Sequence, residues 1–461
     1  MLVPNFLKHC RFTITNIVEE QTIYLTHLHI LTTLAITLLI LRLYLKSTTI
    51  YLLDFSCYRP PDHLRVPTES AKEYLENGNK VDRSMIDFLL KLNQRSGIGP
   101  DSCVPQAIHD SCPRTTLSHT QEETQMVLFE IVETLLSKNK INPKDIGILV
   151  TNCSLFCPTP SLSSMIVNKF GLRSNVRSVS LSGMGCSAGI LGVGLAKDLL
   201  KVHKNCLALV LSMEAVTPNV YKGKVKAMIL ANALFRMGGA GILLSNRKQD
   251  KWAAKYKLLH FVRTHIGADD EAYKSVYQDV DDQGNVGVAL SRALVQKASK
   301  ALKTNISKLA PLVLPYSEQF LYVVSVLRRK FSTHKNLYVP NFKKAFEHFC
   351  IHAGGRAVIN VVEEGLKLTK EDSEASRMTL YRFGNTSSSS IWYELSYLEA
   401  KGRVKKGDRV WQIAFGSGFK CNSSVWKCIY DGKRRVKNVD SNVWLDRINS
   451  YPVDVSSIMY S

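Results

Sequence analysis

Short apolar runs alternating with amphipathic stretches restrict this chain to a small set of folds. The runs Ile146-Gly-Ile-Leu-Val150 and Leu207-Ala-Leu-Val-Leu211 carry no polar side chain, and Gly238-Gly-Ala-Gly-Ile-Leu-Leu-Ser245 carries one; strands buried on both faces read this way. Helical signals separate them. Thr120-Gln-Glu-Glu123 is a capping-box pattern ahead of Met126, Phe129, Val132 and Leu136, a second helix is expected near residues 161–170, and residues 187–202 carry Ile190, Val193, Leu195 and Leu199 at helical spacing. Such alternation calls for an α/β architecture on buried sheets. The basic stretch Asn246-Arg-Lys-Gln-Asp-Lys251 reads as a hinge between two halves, and no exact internal repeat is visible.

The chain has 461 residues, 45% of them hydrophobic and 21% charged, enough for one large core or two medium ones and unlike a disordered chain. Eleven cysteines are too sparse for a disulfide scaffold, and Cys153 and Cys157 lack a second pair to complete a zinc site. A reducing compartment follows. The formal charge of +21 asks for an anionic partner: nucleic acid, an anionic membrane surface or a phosphorylated substrate. The basic clusters (Lys222 to Lys226, Arg328 to Lys330, Lys405-Lys406, Lys433 to Arg435) are short, scattered and without aromatic interleaving, so nucleic acid ranks last.

Residues 23–45 are nearly all apolar, and about twenty such residues cross a bilayer, so one transmembrane helix is expected, with a signal peptide as the alternative. Arg42, Lys46, Arg59 and Arg65 follow it while only Lys8 and Arg11 precede it, which places the main domain on the cytosolic side. The prolines of Asp54-Phe-Ser-Cys-Tyr-Arg-Pro-Pro-Asp62 then open the globular part. Residues 309–327 are apolar too, but Pro311, Pro315, Glu318 and Gln319 interrupt them; lining an apolar tunnel or resting on a membrane suits them better than a second span.

One cysteine stands in an unusual setting, Ser182-Gly-Met-Gly-Cys-Ser-Ala-Gly-Ile-Leu-Gly192. Arg177-Ser-Val-Ser-Leu181 alternates like a buried strand and the helical pattern follows, so Cys186 sits where strand turns into helix. The helix N-terminus is expected to ease ionisation of its thiol, and the glycines to leave room for a ligand. A cysteine taken at random is more often a small buried hydrophobe.

Three motifs lie downstream: His348-Phe-Cys-Ile-His352-Ala-Gly-Gly, Arg382-Phe-Gly-Asn385-Thr-Ser-Ser-Ser-Ser, and Ala414-Phe-Gly-Ser-Gly-Phe419. Singly each is weak. Two histidines at i, i+4 could share a helix face on zinc, but the glutamate of H-E-x-x-H and a third ligand are lacking. Either histidine could be a satisfied buried ring, Asn385 could cap the next helix, and the glycine loop could be an ordinary turn.

In the order Cys, His, Asn, glycine loop, these residues resemble the active site of thiolase-fold condensing enzymes. More narrowly, the chain resembles the plant 3-ketoacyl-CoA synthases, through the motifs above and through Asn152-Cys-Ser-Leu-Phe156, Pro158-Thr-Pro-Ser-Leu162, Leu234-Phe-Arg-Met-Gly-Gly239 and Arg263-Thr-His-Ile-Gly-Ala-Asp269. The resemblance implies a thiolase-like α/β fold of two similar halves, with stacked mixed sheets and helices in five layers. It implies an N-terminal segment over residues 1–47, a half carrying the nucleophile over 48–247, and a half carrying His and Asn over 248–461. It further implies Cys186 as nucleophile, His352 and Asn385 as its catalytic partners, His265, His348 and Tyr381 as supporting residues, and Gly416, Ser417 and Gly418 against the substrate. The reaction implied condenses a long-chain acyl-CoA with malonyl-CoA and needs no metal or redox cofactor. An endoplasmic reticulum membrane, a homodimer and association with other elongase-cycle enzymes are implied as well.

The chain departs from this pattern in showing one span rather than two, Lys224-Val-Lys-Ala227 for an Asn-Asp-Arg-Ser-type stretch, Ala233 for a cysteine, and Tyr381 for a histidine. A polyketide-type condensing enzyme and a non-catalytic paralogue that assembles with active synthases are the alternatives.

Overall fold

The computed structural model describes residues 24–38, 48–66, 88, 91–92, 94–109, 113–331, 337–430 and 441–455. Residues 1–48 and residues 49–461 form two separate compact units. In the first, residues 24–38 are helical and exposed. The rest of the expected span, 23 and 39–45, lies outside the described residues, as does the basic cluster at 433–435. Among the described residues no helix is long and apolar enough to cross a membrane.

Among the described residues the second unit is built on nine strands in one ladder: β1 (Tyr51–Cys57), β2 (Ile146–Asn152), β3 (Arg177–Leu181), β4 (Leu207–Met213), β5 (Gly239–Ser245), β6 (Tyr256–His265), β9 (His348–Ile351), β10 (Arg409–Gly416) and β11 (Lys420–Cys428), in the order β3-β2-β4-β5-β1-β6-β11-β10-β9. A separate hairpin pairs β7 (Val276–Val280) with β8 (Val286–Leu290). The ladder repeats one pattern twice. From β1, the pairings run antiparallel to β5, antiparallel to β4 and parallel to β2; from β6 they run antiparallel to β11, antiparallel to β10 and parallel to β9. A short antiparallel contact, Tyr51 with Lys257 and Leu52 with Tyr256, joins the two runs, so the halves share one sheet at the level of hydrogen bonds.

Helices cover both runs on both faces: α1 (Leu117–Asn139), α2 (Leu162–Phe170), α3 (Ala188–Val202), α4 (Lys226–Leu234), α5 (Leu294–Val313), α6 (Tyr316–Phe331), α7 (Arg356–Leu366), α8 (Glu374–Phe383) and α9 (Ser390–Ala400). Side chains alternate across a strand, and here each direction meets a different helical layer. In β2, Ile148 and Val150 join a central core with Ile190 and Val193 of α3 and with Trp392 and Leu395 of α9, while Leu149 turns outward to Ile131 and Leu135 of α1. In β10, Val410 and Ala414 enter the same central core, while Trp411 and Ile413 turn to Ala301 of α5 and Val362 of α7. Five layers result, with α3 and α9 in the middle. Each fully buried aliphatic side chain contributes about 1.5–3 kcal/mol, which is why these strands need no polar face.

Three local expectations change. Arg177–Leu181 is one of the two edge strands, partly exposed rather than buried. The first long helix starts at Leu117 with Thr116 as its cap, so Glu123 lies inside it; its buried carboxylate accepts the backbone N–H groups of Val216 and Thr217 at 2.7 and 2.9 Å instead of closing a capping box. The stretch expected as a hinge is pinned. Asn246 donates its amide to the carbonyls of Leu200 and His203 and accepts from the Cys206 N–H.

Candidate active site

Cys186 follows β3 and precedes α3, His352 is the first residue beyond β9, Asn385 lies between α8 and α9, and Gly416, Ser417 and Gly418 run from the end of β10 into its turn to β11. All six line one cavity of about 850 Å3. The loop carrying Cys186 needs its glycines. Gly183 and Gly185 have φ of 65° and 69°, where L-residues are strained, and a Cβ on Gly185 would lie 2.3 Å from the Ser417 backbone nitrogen. The nucleophile loop and the glycine turn are therefore in direct contact. A Cβ on Gly189, in the first turn of α3, would meet the Ser388 carbonyl at 2.2 Å, so this helix start is packed against the segment that follows Asn385.

Burial, not the helix terminus, sets the state of the thiol. The Cys186 pKa is pushed up to about 12, first by desolvation, with the nearby Glu214 carboxylate adding to it. A helix N-terminus is worth about 0.3–1 kcal/mol, less than one pKa unit at about 1.4 kcal/mol per unit, whereas burial moves a group by up to about 3–5 units. The expectation of an easily ionised thiol is corrected on that ground. Burial acts on His352 in the opposite sense for the same reason: its pKa falls to about 4, so the ring is neutral near pH 7. Its backbone N–H is held by the Ile413 carbonyl at 2.9 Å, while Nδ1 is buried with no hydrogen-bond partner among the described residues.

Asn385 is clamped at four points. Its N–H donates to the Leu234 carbonyl and its carbonyl accepts from the Arg236 N–H, each at 3.0 Å. Its side-chain oxygen accepts from the Ser387 N–H at 2.8 Å and its Nδ2 donates to the Gly354 carbonyl at 3.2 Å. The Ser387 contact fixes which end of the amide is nitrogen. Of the two N–H bonds on Nδ2, one is committed to Gly354. The amide thus acts both as a local turn and as a donor at the cavity wall.

The supporting residues divide. His265, at the end of β6 and opposite Lys420 of β11, lines the cavity; burial and the Lys420 charge lower its pKa. His348 is not among the cavity residues: it starts the strand that His352 follows, and its Nε2 pairs with Asp408 at 2.9 Å. The two histidines therefore flank a strand and share no helix face. Tyr381 is also absent from the cavity. Its ring covers Gly99, where a Cβ would lie 2.6 Å from Tyr381 Cζ, and stands edge-on to Tyr451 at 6.4 Å. Lys224-Val-Lys-Ala227 leads into α4, which supplies Leu230, Ala231, Asn232 and Leu234 to the cavity.

Sequence reasoning missed Glu214. Its buried carboxylate accepts from the N–H groups of Ser154 and Leu155 at 3.0 and 2.9 Å, from the Cys153 thiol at 3.3 Å and from the Ser387 hydroxyl at 3.2 Å. Beside it, Asn152 accepts from the hydroxyls of Ser212 and Ser388 at 3.0 and 2.7 Å. Polar residues closing the otherwise apolar strands β2 and β4 were the available signal, since sites in open α/β sheets form at strand carboxyl ends.

Residues 42–331 match the family described as FAE1/Type III polyketide synthase-like protein, and residues 343–428 match the 3-oxoacyl-[acyl-carrier-protein (ACP)] synthase III C-terminal family. A fungal type III polyketide synthase superposes with a TM-score of 0.63 at 20% identity, covering 82% of this chain and 99% of that one. The 1,3,6,8-tetrahydroxynaphthalene synthase of Streptomyces coelicolor superposes at 0.64 with 18% identity and the same two coverages. These show the thiolase-like fold. Two Arabidopsis thaliana proteins are far nearer in sequence: 3-ketoacyl-CoA synthase 7, 61% identical over 412 residues and 89% of both chains, and 3-ketoacyl-CoA synthase 5, 54% identical over 90% of this chain and 84% of that one. The chain therefore belongs to the 3-ketoacyl-CoA synthases, within the FAE1 and type III polyketide synthase-like family.

Proposed function

We infer that this chain is an acyltransferase that condenses a long-chain acyl-CoA with malonyl-CoA to give 3-oxoacyl-CoA, CoA and CO2, the first step of very-long-chain fatty-acid elongation. One observation carries the reading: Cys186, His352, Asn385 and the 416–418 turn meet in a cavity whose wall is apolar over much of its area, through side chains such as Val216, Leu230, Leu234, Val288, Leu290 and Leu294. An apolar cavity suits an acyl chain, and the polar wall suits a thioester.

In the first step Cys186 sulfur bonds to the acyl carbonyl carbon, the carbon–sulfur bond to CoA breaks, and the thiol proton leaves with CoA. Malonyl-CoA then loses CO2, and its electron pair becomes an enolate on the thioester oxygen. Neutral His352 donates one N–H there and Asn385 a second, both held in place before charge develops. The enolate carbon attacks the acyl-enzyme, 3-oxoacyl-CoA departs, and the Cys186 thiolate takes up a proton. Atoms and charge balance without a cofactor.

The basic surplus suits CoA phosphates and an anionic cytosolic leaflet. The apolar run at residues 23–45 supports anchoring by one transmembrane helix in the endoplasmic reticulum membrane, with the catalytic unit facing the cytosol. Family membership supports a homodimer that works beside the other elongase-cycle enzymes. Expression in a host without very-long-chain elongation tests the activity: new 3-oxoacyl-derived chains are expected from the wild type and none from Cys186→Ala. Products from the variant, or none from either chain, would overturn the reading. Carbonate-resistant membrane association tests the anchor.

A further inference from the structure

Helix α6 is turned the opposite way from a helix facing water. Its single carboxylate points inward: Glu318 is 0% exposed and accepts from Lys344 Nζ at 2.6 Å, the Tyr338 hydroxyl at 2.7 Å and the Asn341 N–H at 2.8 Å. Ser325, two turns further along the same face, accepts from the Tyr338 N–H at 3.2 Å. On the opposite face stand Tyr316, Phe320, Val323 and Leu327, spaced i, i+4, i+7, i+11 and exposed by 89%, 68%, 52% and 51%. At about 100° per residue these four fall within roughly 60° of one another. Leu312, in the last turn of α5, is exposed beside Pro311. Polar anchors inside with an apolar stripe outside mark a surface that something covers.

We propose that the outer face of α6 docks on the headgroup–acyl boundary of an anionic lipid bilayer. The helix has 16 residues, about 24 Å at 1.5 Å each, too short to cross but long enough to lie in the boundary plane. Arg328 and Arg329, both exposed, follow Leu327 in the last turn and match anionic headgroups. Tyr316 and Tyr322 are exposed aromatics with a polar tip, the side chains that favour that boundary. A second copy of this helix would offer the arginines nothing, because Glu318 is the only acid in α6 and is engaged inward. The proposal rests on the reading of the chain as membrane-bound and adds a contact separate from residues 23–45.

The test uses the full chain with p-benzoylphenylalanine replacing Phe320, reconstituted into phosphatidylcholine vesicles with and without phosphatidylserine, floated, irradiated and analysed by mass. The same probe replacing the exposed Lys248 is the control, and condensation activity checks each variant's fold. Lipid adducts at position 320 and not at 248, richer with phosphatidylserine, are expected. Arg328→Glu with Arg329→Glu should lower the yield roughly twenty-five-fold or more, since each basic residue near such a surface is worth about a fivefold factor and the substitutions remove two. Vesicles that float with no adduct at 320 would overturn the docking and leave the anchor standing. A chain that does not float overturns both, and a cross-linked dimer through 320 would make this face an interface between copies.

Discussion

The Ser387 hydroxyl donates to the Glu214 carboxylate at 3.2 Å and also interacts with the Cys186 thiol, whose pKa it draws down against the effect of burial. A buried acid is thus one side chain removed from the nucleophile. Burial pushes the Glu214 carboxyl up, while four donors converge on it with no cation among the described residues, and those donors favour the acceptor-only ionised form. Its charge opposes ionisation of Cys186.

Alkylation reads this relationship directly. With the thiol pKa at about 12, inactivation by iodoacetamide should climb close to tenfold per pH unit from pH 7 to 9 without a plateau, because the thiolate fraction does. Glu214→Gln removes the opposing charge and should move the whole profile to lower pH. A plateau near neutrality in the wild type would mean an ion pair with His352, and an unmoved profile in the variant would mean that Glu214 carries no charge.

Replacing Asn385 by Asp separates donor from turn. Aspartate can still accept the Ser387 N–H, so the local fold should persist, but it places a negative charge where the enolate forms and faces the Gly354 carbonyl with an oxygen. Malonyl-CoA decarboxylation should fall by roughly a hundredfold or more, the usual scale for one lost donor. A rate within a few-fold of wild type, with an unchanged melting temperature, would reduce Asn385 to its turn.

What the sequence made legible follows from how local each signal is. The Cys186 loop, the 416–418 turn and Asn385 announce themselves through glycines and short polar residues whose need is local. Their meeting at one cavity is a property of two runs of strands joined at Tyr51 and Lys257, and no periodicity reports it. The state of the thiol escapes the pattern because desolvation depends on what packs around residue 186 from the segment after Asn385 and from the glycine turn. Thr120-Gln-Glu-Glu123 looked like a cap because the pattern is indifferent to context; only the turn at Val216, far along the chain, tells the Glu123 carboxylate where to go. His348 and Tyr381 came by resemblance, and resemblance does not measure distance to a cavity.

Asp54 joins three elements and should be costly to neutralise. It sits in β1, is nearly fully buried, and pairs with Lys138 of α1 and with Lys255, each at 2.9 Å, while Lys255 also holds Glu399 of α9 at 2.8 Å. Desolvation works to raise its pKa, but the two lysines outweigh it and leave it below the ordinary carboxylate value. A depressed pKa gives stability that is present above the unfolded value of about 3.9 and is lost as pH falls through the folded one. Asp54→Asn takes the carboxylate from Lys138 and leaves Lys255 with Glu399 alone, so urea unfolding should show a loss of about 3 kcal/mol or more at pH 7 and a smaller difference from wild type below pH 3. Equal losses at both pH values would assign the effect to packing.

Tyr381 carries the last prediction, because its place in the fold separates two roles that the sequence leaves joined. A histidine there could take a proton near neutral pH, whereas the tyrosine's pKa, already high, is raised further by desolvation and by Asp101, so it stays protonated and supplies only a ring and a hydroxyl. The ring is spent on packing: it covers Gly99, meets Tyr451, and its carbonyl holds the Gly99 N–H at 2.7 Å. One turn of α8 separates it from Asn385, so it can affect the site only by moving that helix. Tyr381→His should therefore change kcat/KM by less than roughly tenfold, about 1.4 kcal/mol in barrier, while the smaller ring lowers the melting temperature through a gap beside Gly99. A parent with no activity that gains it on this substitution would reverse the assignment, placing proton transfer at position 381 and favouring a non-catalytic paralogue.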